Sequence, residues 1–322
     1  MLSFAAHAFA LALALPSPQD TPPPMPAPPS SGAAATFVDA TGKQVEPGVL
    51  PADTAPAARE AWNTVCEKSL APGAAREPVR AFDLALDVRY KAHQQQSNDF
   101  QARFRFLAPS FLRATTASAR EQLRGPKGDW LIDPKTKEKI SLAVDRAYAE
   151  DRRQLDDSVA IARNFVALTD PRSLRIVRLA LRDQAPAGLP PSAATRASTM
   201  RWLEIESPDF HLQRGSSPNA PVAAGEKLYR VSLGIDPKSG LVAFALVNDP
   251  GAPAGVSAST LFIVLGEPRP LDGFHVPHHM VVYEVDPTSK PLAFRKDASS
   301  DIYLVQGKAT LRAKLTADDF VP

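Results

Sequence analysis

Residues 81–90 read AFDLALDVRY and residues 100–106 read FQARFRF. In the first stretch Phe82, Leu84, Leu86, Val88 and Tyr90 alternate with Ala81, Asp83, Ala85, Asp87 and Arg89. In the second Phe100, Ala102, Phe104 and Phe106 alternate with Gln101, Arg103 and Arg105. Side chains on a strand point to opposite faces with a period of two, so each stretch has one dry face and one wet face. Two neighbouring strands therefore set aromatic rings on one side and arginines on the other. Arg103, Arg105 and the nearby Arg113 read as the wet face of a sheet.

Further strands follow. Trp130 to Asp133 and Ile140 to Leu142 flank Pro134-Lys135-Thr136-Lys137, which predicts a hairpin. Others are expected at Leu174 to Leu181, Met200 to Glu206, Leu228 to Ile235, Leu241 to Val247, Leu261 to Gly266, Phe274 to Val285, Ile302 to Gln306 and Thr310 to Leu315. About ten strands make a sheet that must curl or close. The stretches Asp183 to Ala197 and Arg214 to Glu226, rich in Pro, Ala, Ser and Gly, read as surface excursions.

Two helices accompany these strands. Ala57 to Leu70 carries Trp62, Val65, Cys66 and Ser69 at helical spacing. A longer pattern places Val144, Tyr148, Leu155, Val159, Ala162 and Val166 on one stripe, with Asp145, Arg146, Glu150, Asp151, Arg153, Asp156, Asp157 and Arg163 around it. Such a stripe needs an apolar partner, and the hollow side of the sheet supplies one. The expected fold is α+β: a curved antiparallel sheet forming an unclosed β-barrel, with an N-terminal helix and a central helix packed on the concave face.

The N-terminal residues differ in kind. Leu2 to Leu15 is a 14-residue Ala/Leu/Phe run, too short as a helix to cross a ~30 Å hydrocarbon core but suited to a signal-peptide core. Ala10, Ala12 and Ala14 offer A-x-A cleavage sites. From Pro16 to Pro56 there are eleven prolines and few large apolar residues, a composition that cannot bury enough surface to offset ordering entropy. The expected organisation is a signal peptide at 1–15, a Pro/Ala-rich linker at 16–56 and one folded domain at 57–322. The mature chain would be exported, with no transmembrane segment left after signal cleavage.

Chemistry is sparse. The 322 residues carry 37 Lys and Arg against 35 Asp and Glu, so no basic stripe points to nucleic acid. Cys66 is the single cysteine, which closes disulfide, zinc-knuckle and CxxC chemistry. His275, His278 and His279 surround Pro277 without a neighbouring carboxylate or cysteine at zinc spacing, so they read as edge-strand histidines. The acid pairs Asp156-Asp157 and Asp318-Asp319 diverge on any regular element. No G-x-S-x-G, S-x-x-K, G-x-x-x-x-G-K-[ST] or G-x-G-x-x-G motif occurs. The sequence thus predicts no catalytic residue, cofactor or metal.

In the order of its elements the chain resembles the LolA-like family of periplasmic lipoprotein carriers and outer-membrane lipoprotein-sorting proteins. The resemblance is carried by FRFLAPSFLR at 104–113, GDWLIDP at 128–134, IDPKSGL at 235–241, LDGFHVP at 271–277 and the terminal DFVP at 319–322. It implies an apolar barrel cavity that receives acyl chains of lipid or lipoprotein, and a periplasmic location. The cavity would be lined here by Phe82, Leu84, Leu86, Phe104, Phe106, Trp130, Tyr148, Leu155 and Val159. One departure is visible: the family's carriers have an arginine directly before the proline, linked to lid closure, and that place is Ala108, with Arg105 and Arg113 as candidate substitutes. The alternative expectation is a module that binds envelope proteins on the same scaffold.

Overall fold

The computed structural model describes residues 37–74, 77–92, 96–115, 120–142, 148–210, 228–248, 260–286, 293–298 and 300–322. The signal-peptide expectation, and the linker expectation up to residue 36, lie outside the described residues.

One antiparallel sheet organises the chain. Its strands are β1 (Ala81–Ala92), β2 (Asn98–Leu107), β3 (Phe111–Thr115), β4 (Glu121–Gly125), β5 (Gly128–Ile132), β6 (Lys139–Ser141), β7 (Arg178–Arg182), β8 (Arg201–Ser207), β9 (Tyr229–Ile235), β10 (Val242–Asn248), β11 (Thr260–Leu271), β12 (Phe274–Asp286), β13 (Ala293–Phe294) and β14 (Ser300–Leu311). The order across the sheet is β6-β5-β4-β3-β2-β1-β14-β12-β11-β10-β9-β8-β7, with β13 attached to β12. β6 and β7 are the two ends of that order, so the barrel is unclosed. Neighbours follow one another in sequence except where β14 inserts between β1 and β12, antiparallel to both. That insertion joins an N-terminal half-sheet to a C-terminal one.

Register assigns the faces. Phe82 lies opposite Phe106, which lies opposite Leu112; Leu84, Phe104 and Ala114 form the next row. These side chains point inward. Asp83, Arg105 and Arg113 form the intervening outward row. In the C-terminal half Leu203, Leu233, Ala245 and Ile263 point inward, while Trp202, Phe244 and Phe262 point outward.

Among the described residues three helices cover this sheet. α1 (Pro56–Lys68), started by its proline, buries Ala58, Ala61, Trp62, Val65 and Cys66 against the inner face of the C-terminal half. α2 (Ala149–Thr169) lays Leu155, Val159, Ala162 and Val166 over the inner face of the N-terminal half. α3 (Pro191–Ala197) seats Ala193 and Ala197 on the outward aromatic row of Trp202, Phe244 and Phe262. β10 is buried along nearly its whole length because both of its faces are covered.

Three expectations need correction. Residues 183–197 are not a bare excursion, since they contain α3. Ile302 to Gln306 and Thr310 to Leu315 are not separate strands, since one strand runs through Ser300–Leu311. Residues 37–55 belong to the folded unit and not to the linker: Val38 bridges Gln44, Val45 is buried, and the Gly48 N–H donates to the Leu174 carbonyl at 3.2 Å.

The C-terminus closes on the outer face. A 3-10 turn, Ala317–Phe320, is capped reciprocally by Thr316 and Asp319. It buries Phe320 against Leu123 and Ile132.

Candidate functional site

The inner face under α2 is the largest convergence of aromatic and aliphatic side chains that the sequence anticipated. Phe82, Leu84, Leu86, Phe104, Phe106, Leu155 and Val159 all lie in one buried cluster. Phe82 stacks on Phe106 with ring centroids 5.4 Å apart, and Phe165 of α2 meets Phe82 edge-on at 5.5 Å. Tyr148, the residue before α2, is half-buried against the same cluster.

Trp130 is the exception among the residues expected in the hollow. Its partner across the ladder is Leu123, and both point outward. Trp130 packs there with Leu123, Ile132 and Phe320, while its neighbour Leu131 takes the inward place. Period two decides this: an aromatic one residue out of phase serves the other face. Leu112, Ala114, Leu131 and Leu142 complete the inner lining. The alternating FLRAT and GDWLI stretches carried that signal but are only five residues each.

The roof is held to the sheet by an apolar seam and a few polar latches. The Ser158 hydroxyl of α2 donates to Gln122 Oε1 at 2.7 Å. Arg124 reaches from β4 to Asp156 at 2.8 Å and to Asp129 at 2.7 Å. Burial works against the Arg124 charge, but hydrogen bonds and the field of the two carboxylates outweigh it, so its pKa is raised. Arg152 donates to the Leu142 carbonyl at 2.7 Å. At the far end Asp170, fully buried just beyond α2, accepts from the Val79 backbone at 2.9 Å and pairs with Arg172 at 2.8 Å. A buried carboxylate with this many partners is a firm anchor, since stripping one partner is strongly destabilising.

The place before Pro109 also bears on the roof. Ala108 contributes no side-chain bond, and neither candidate substitute faces the helix. Arg105 pairs outward with Asp83 and Asp319, and Arg113 with Glu121. The bond comes instead from the helix: Arg163 Nε donates to the Pro109 carbonyl. The turn is thus tied to the roof from the opposite partner.

Reactive chemistry is muted. Burial pushes the Cys66 thiol up to about 12, which keeps it protonated and inert. Tyr90, in the cluster under α2, is likewise pushed up to about 12 by burial. His279 bonds Asp301 at 2.6 Å on the outer face and stacks on Tyr303 at 4.1 Å. Among the described residues no three His, Cys, Asp or Glu side chains gather to hold a metal. No helix among them is long and apolar enough to cross a membrane.

Where the C-terminal ends of α1 and α2 approach the β9–β10 hairpin, a cleft of about 190 Å³ remains. That is below the ~300 Å³ at which small-molecule pockets usually begin.

No family model matches the sequence, and no curated protein matches it. Solved structures do. The chain is similar to a LolA superfamily protein of Nitrosomonas europaea, at 11% identity and TM-score 0.41, covering 82% of this chain and 97% of that one. It is similar to a DUF1329 family protein of Desulfovibrio piger and to an outer-membrane lipoprotein-sorting protein domain of Vibrio parahaemolyticus. Each of these is 10% identical with TM-score 0.39 and the same coverage. The fold assignment rests on the strand order and register above, not on these likenesses.

Proposed function

We propose that the chain is an exported, non-enzymatic carrier of the periplasm that takes acyl chains of lipid or lipoprotein against its inner face, with α2 as the part that yields. One observation carries this reading: α2 covers an aromatic inner face through a narrow apolar seam and is latched at its edges by polar bonds. The magnitudes favour exchange. Exposing Leu155, Val159, Phe165 and Val166 costs on the order of 9 kcal/mol at ~1.5–3 kcal/mol per large side chain. A dodecyl chain returns ~0.8 kcal/mol per methylene, roughly 10 kcal/mol when fully buried. A long acyl chain therefore offsets the loss of the helix stripe, and a short one does not.

The test joins the roof to the sheet. In a Gln122→Cys, Ser158→Cys variant the two new thiols lie where the native side chains touch at 2.7 Å, and a short bismaleimide bridges them while buried Cys66 stays unmodified. Uptake of a fluorescent long-chain acyl probe is expected before bridging and not after it. Failure of the unbridged protein to bind any acyl probe overturns the reading. Undiminished uptake after bridging overturns the role of α2. Mass spectrometry of gently purified protein is expected to find co-eluting lipid; an envelope protein retained in its place would favour the protein-binding alternative.

A further inference from the structure

The two ends of the unclosed sheet are not alike. β6 is three residues long, whereas β7 runs for five, Arg178 to Arg182. β7 pairs with β8 on one side only. Every second N–H and C=O of such a strand faces away from its one neighbour and offers itself to another. Among the described residues nothing bonds the outward amides and carbonyls of Arg178 to Arg182.

Charge says which strand fits there. On the outer face β9 carries Arg230, β8 carries Glu204 and Glu206, and β7 carries Arg178 and Arg182. Glu206 lies between Arg178 at 3.8 Å and Arg230 at 3.4 Å, and Glu204 between Arg182 at 3.1 Å and Arg230 at 4.0 Å. The columns alternate in sign, three arginines share two glutamates, and the outermost column is cationic. Among the described residues Arg178 and Arg182 pair only toward β8, and their side chains remain 61% and 40% exposed. Asp183, just past the strand, is one residue out of phase with them. On the inner side Leu179 is buried in the cluster under α1, and Leu181 at the edge is only half-buried. A second copy is the wrong next strand. Antiparallel pairing of β7 with itself about Ala180 sets Arg178 against Arg182 at both ends, and like charges directly opposite repel. Charged edges of this kind discourage self-association.

We propose that the open edge of β7 takes an extended peptide segment of a partner protein as the next strand, with carboxylates on its outer side and apolar residues on its inner side. The acids continue the alternation of sign beyond Arg178 and Arg182, and the apolar residues cover the open flank of Leu181. Main-chain bonds give such a complex its affinity, and alternate side chains give it selectivity. The inference goes beyond the carrier reading and needs nothing from it, since β7 packs under α1 and not under α2.

Fluorescence anisotropy of labelled, end-capped heptapeptides titrated with the full chain tests it. The peptide Thr-Glu-Val-Thr-Val-Glu-Thr sets glutamates opposite Arg178 and Arg182 and valines opposite Leu179 and Leu181. It is expected to bind at least ~tenfold more tightly than the same peptide with lysine in place of glutamate, by a margin that shrinks with added salt. N-methylation of alternate residues blocks one edge of the peptide at a time. One methylated form is expected to lose binding and the other to keep it, because only one edge meets β7. An Arg178→Gln, Arg182→Gln variant is expected to bind the acidic and basic peptides alike. Both arginines are largely exposed and Arg230 still serves Glu204 and Glu206, so the variant keeps the fold, which an unchanged thermal midpoint verifies. Equal affinity of the native chain for the two peptides overturns the acidic assignment. An equal response to both methylation patterns overturns strand addition. No binding of either peptide overturns the inference and leaves acyl uptake as a separate result. A native dimer in sedimentation that the acidic peptide dissociates would make a second copy the occupant and overturn the proposal.

Discussion

Arg124 of β4 and Asp156 of α2 meet at 2.8 Å, and the same guanidinium holds Asp129 of β5 at 2.7 Å. The two carboxylates have different work. Asp129 fixes the arginine to the sheet, and Asp156 fixes the helix to the arginine. Asp156→Asn therefore removes the latch without leaving Arg124 unpaired. A partly exposed pair of this kind contributes ~0.5–1 kcal/mol, and at this chain length the thermal midpoint falls by ~1–3 °C. Acyl-probe uptake is expected to become severalfold faster in stopped-flow fluorescence. An unchanged uptake rate together with the lowered midpoint would confine the pair to a structural part.

That latch also explains what was legible in the residues. β1 and β2 announce themselves because every inward residue is apolar and nearly every outward one is charged or small. β4 does not, because Gln122 and Arg124 sit on its inward face and break the alternation; their partners, Ser158 and Asp156, come from a helix more than thirty residues away. The inner wall could thus be read from Phe82, Leu84 and Phe104, but not the polar rim that ties the roof down. Trp130 misled because an aromatic next to a turn looks like lining, whereas its register with Leu123 is invisible until β4 is placed. α3 escaped notice because its buried residues are only Ala193 and Ala197. Small side chains seat closely on Trp202 and Phe244 and leave no apolar periodicity to detect. Residues 37–55 were hidden by their prolines, since a backbone bond such as Gly48 to Leu174 leaves no trace in composition.

Gly125 and Phe320 are in closer contact than any side chain would permit. A Cβ on Gly125 would lie 1.8 Å from the Phe320 carbonyl oxygen. Gly125→Ala must push the C-terminal turn off Leu123 and Ile132, and overpacking of this kind costs ~1–3 kcal/mol. In a chain ending at Leu315 the same substitution meets no Phe320, and its cost is expected to fall to within ~0.5 kcal/mol of zero. Denaturant unfolding of the four proteins measures the coupling. An equal cost in both backgrounds would place the origin of the effect elsewhere in the β4–β5 turn.

Acid is expected to release that C-terminal turn. The Thr316 backbone N–H and the Arg105 guanidinium hold Asp319 below its ordinary pKa of 3.8. The folded value is the lower one, so the stabilising contribution is complete above the unfolded value and is lost as pH falls through the folded one. Trp130 packs beside Phe320 and reports the event. Its emission is expected to shift to the red below about pH 3.8 in the native chain. Asp319→Asn should show the shifted emission at neutral pH, with that acid step gone. A step that persists in the variant would assign it to another carboxylate.

Gly234 is the gap in the outward aromatic row. A Cβ there would stand 2.9 Å and 3.0 Å from Cη2 and Cζ2 of Trp202 and 3.1 Å from the Phe244 Cβ. The indole therefore lies across the glycine to reach Phe244, with ring centroids 6.1 Å apart, and its Nε1 donates to the Ala197 carbonyl of α3 at 3.0 Å. Gly234→Ala is expected to cost ~1–3 kcal/mol by forcing that ring outward. Trp202→Phe removes the atoms in the way but gives up buried area and the hydrogen bond to α3, so it too destabilises, by ~1–3 kcal/mol. The double variant relieves the collision and is expected to be more stable than the sum of the two losses by ~1 kcal/mol or more. Strict additivity would mean that the indole does not depend on the missing side chain at residue 234 and that α3 alone sets its position.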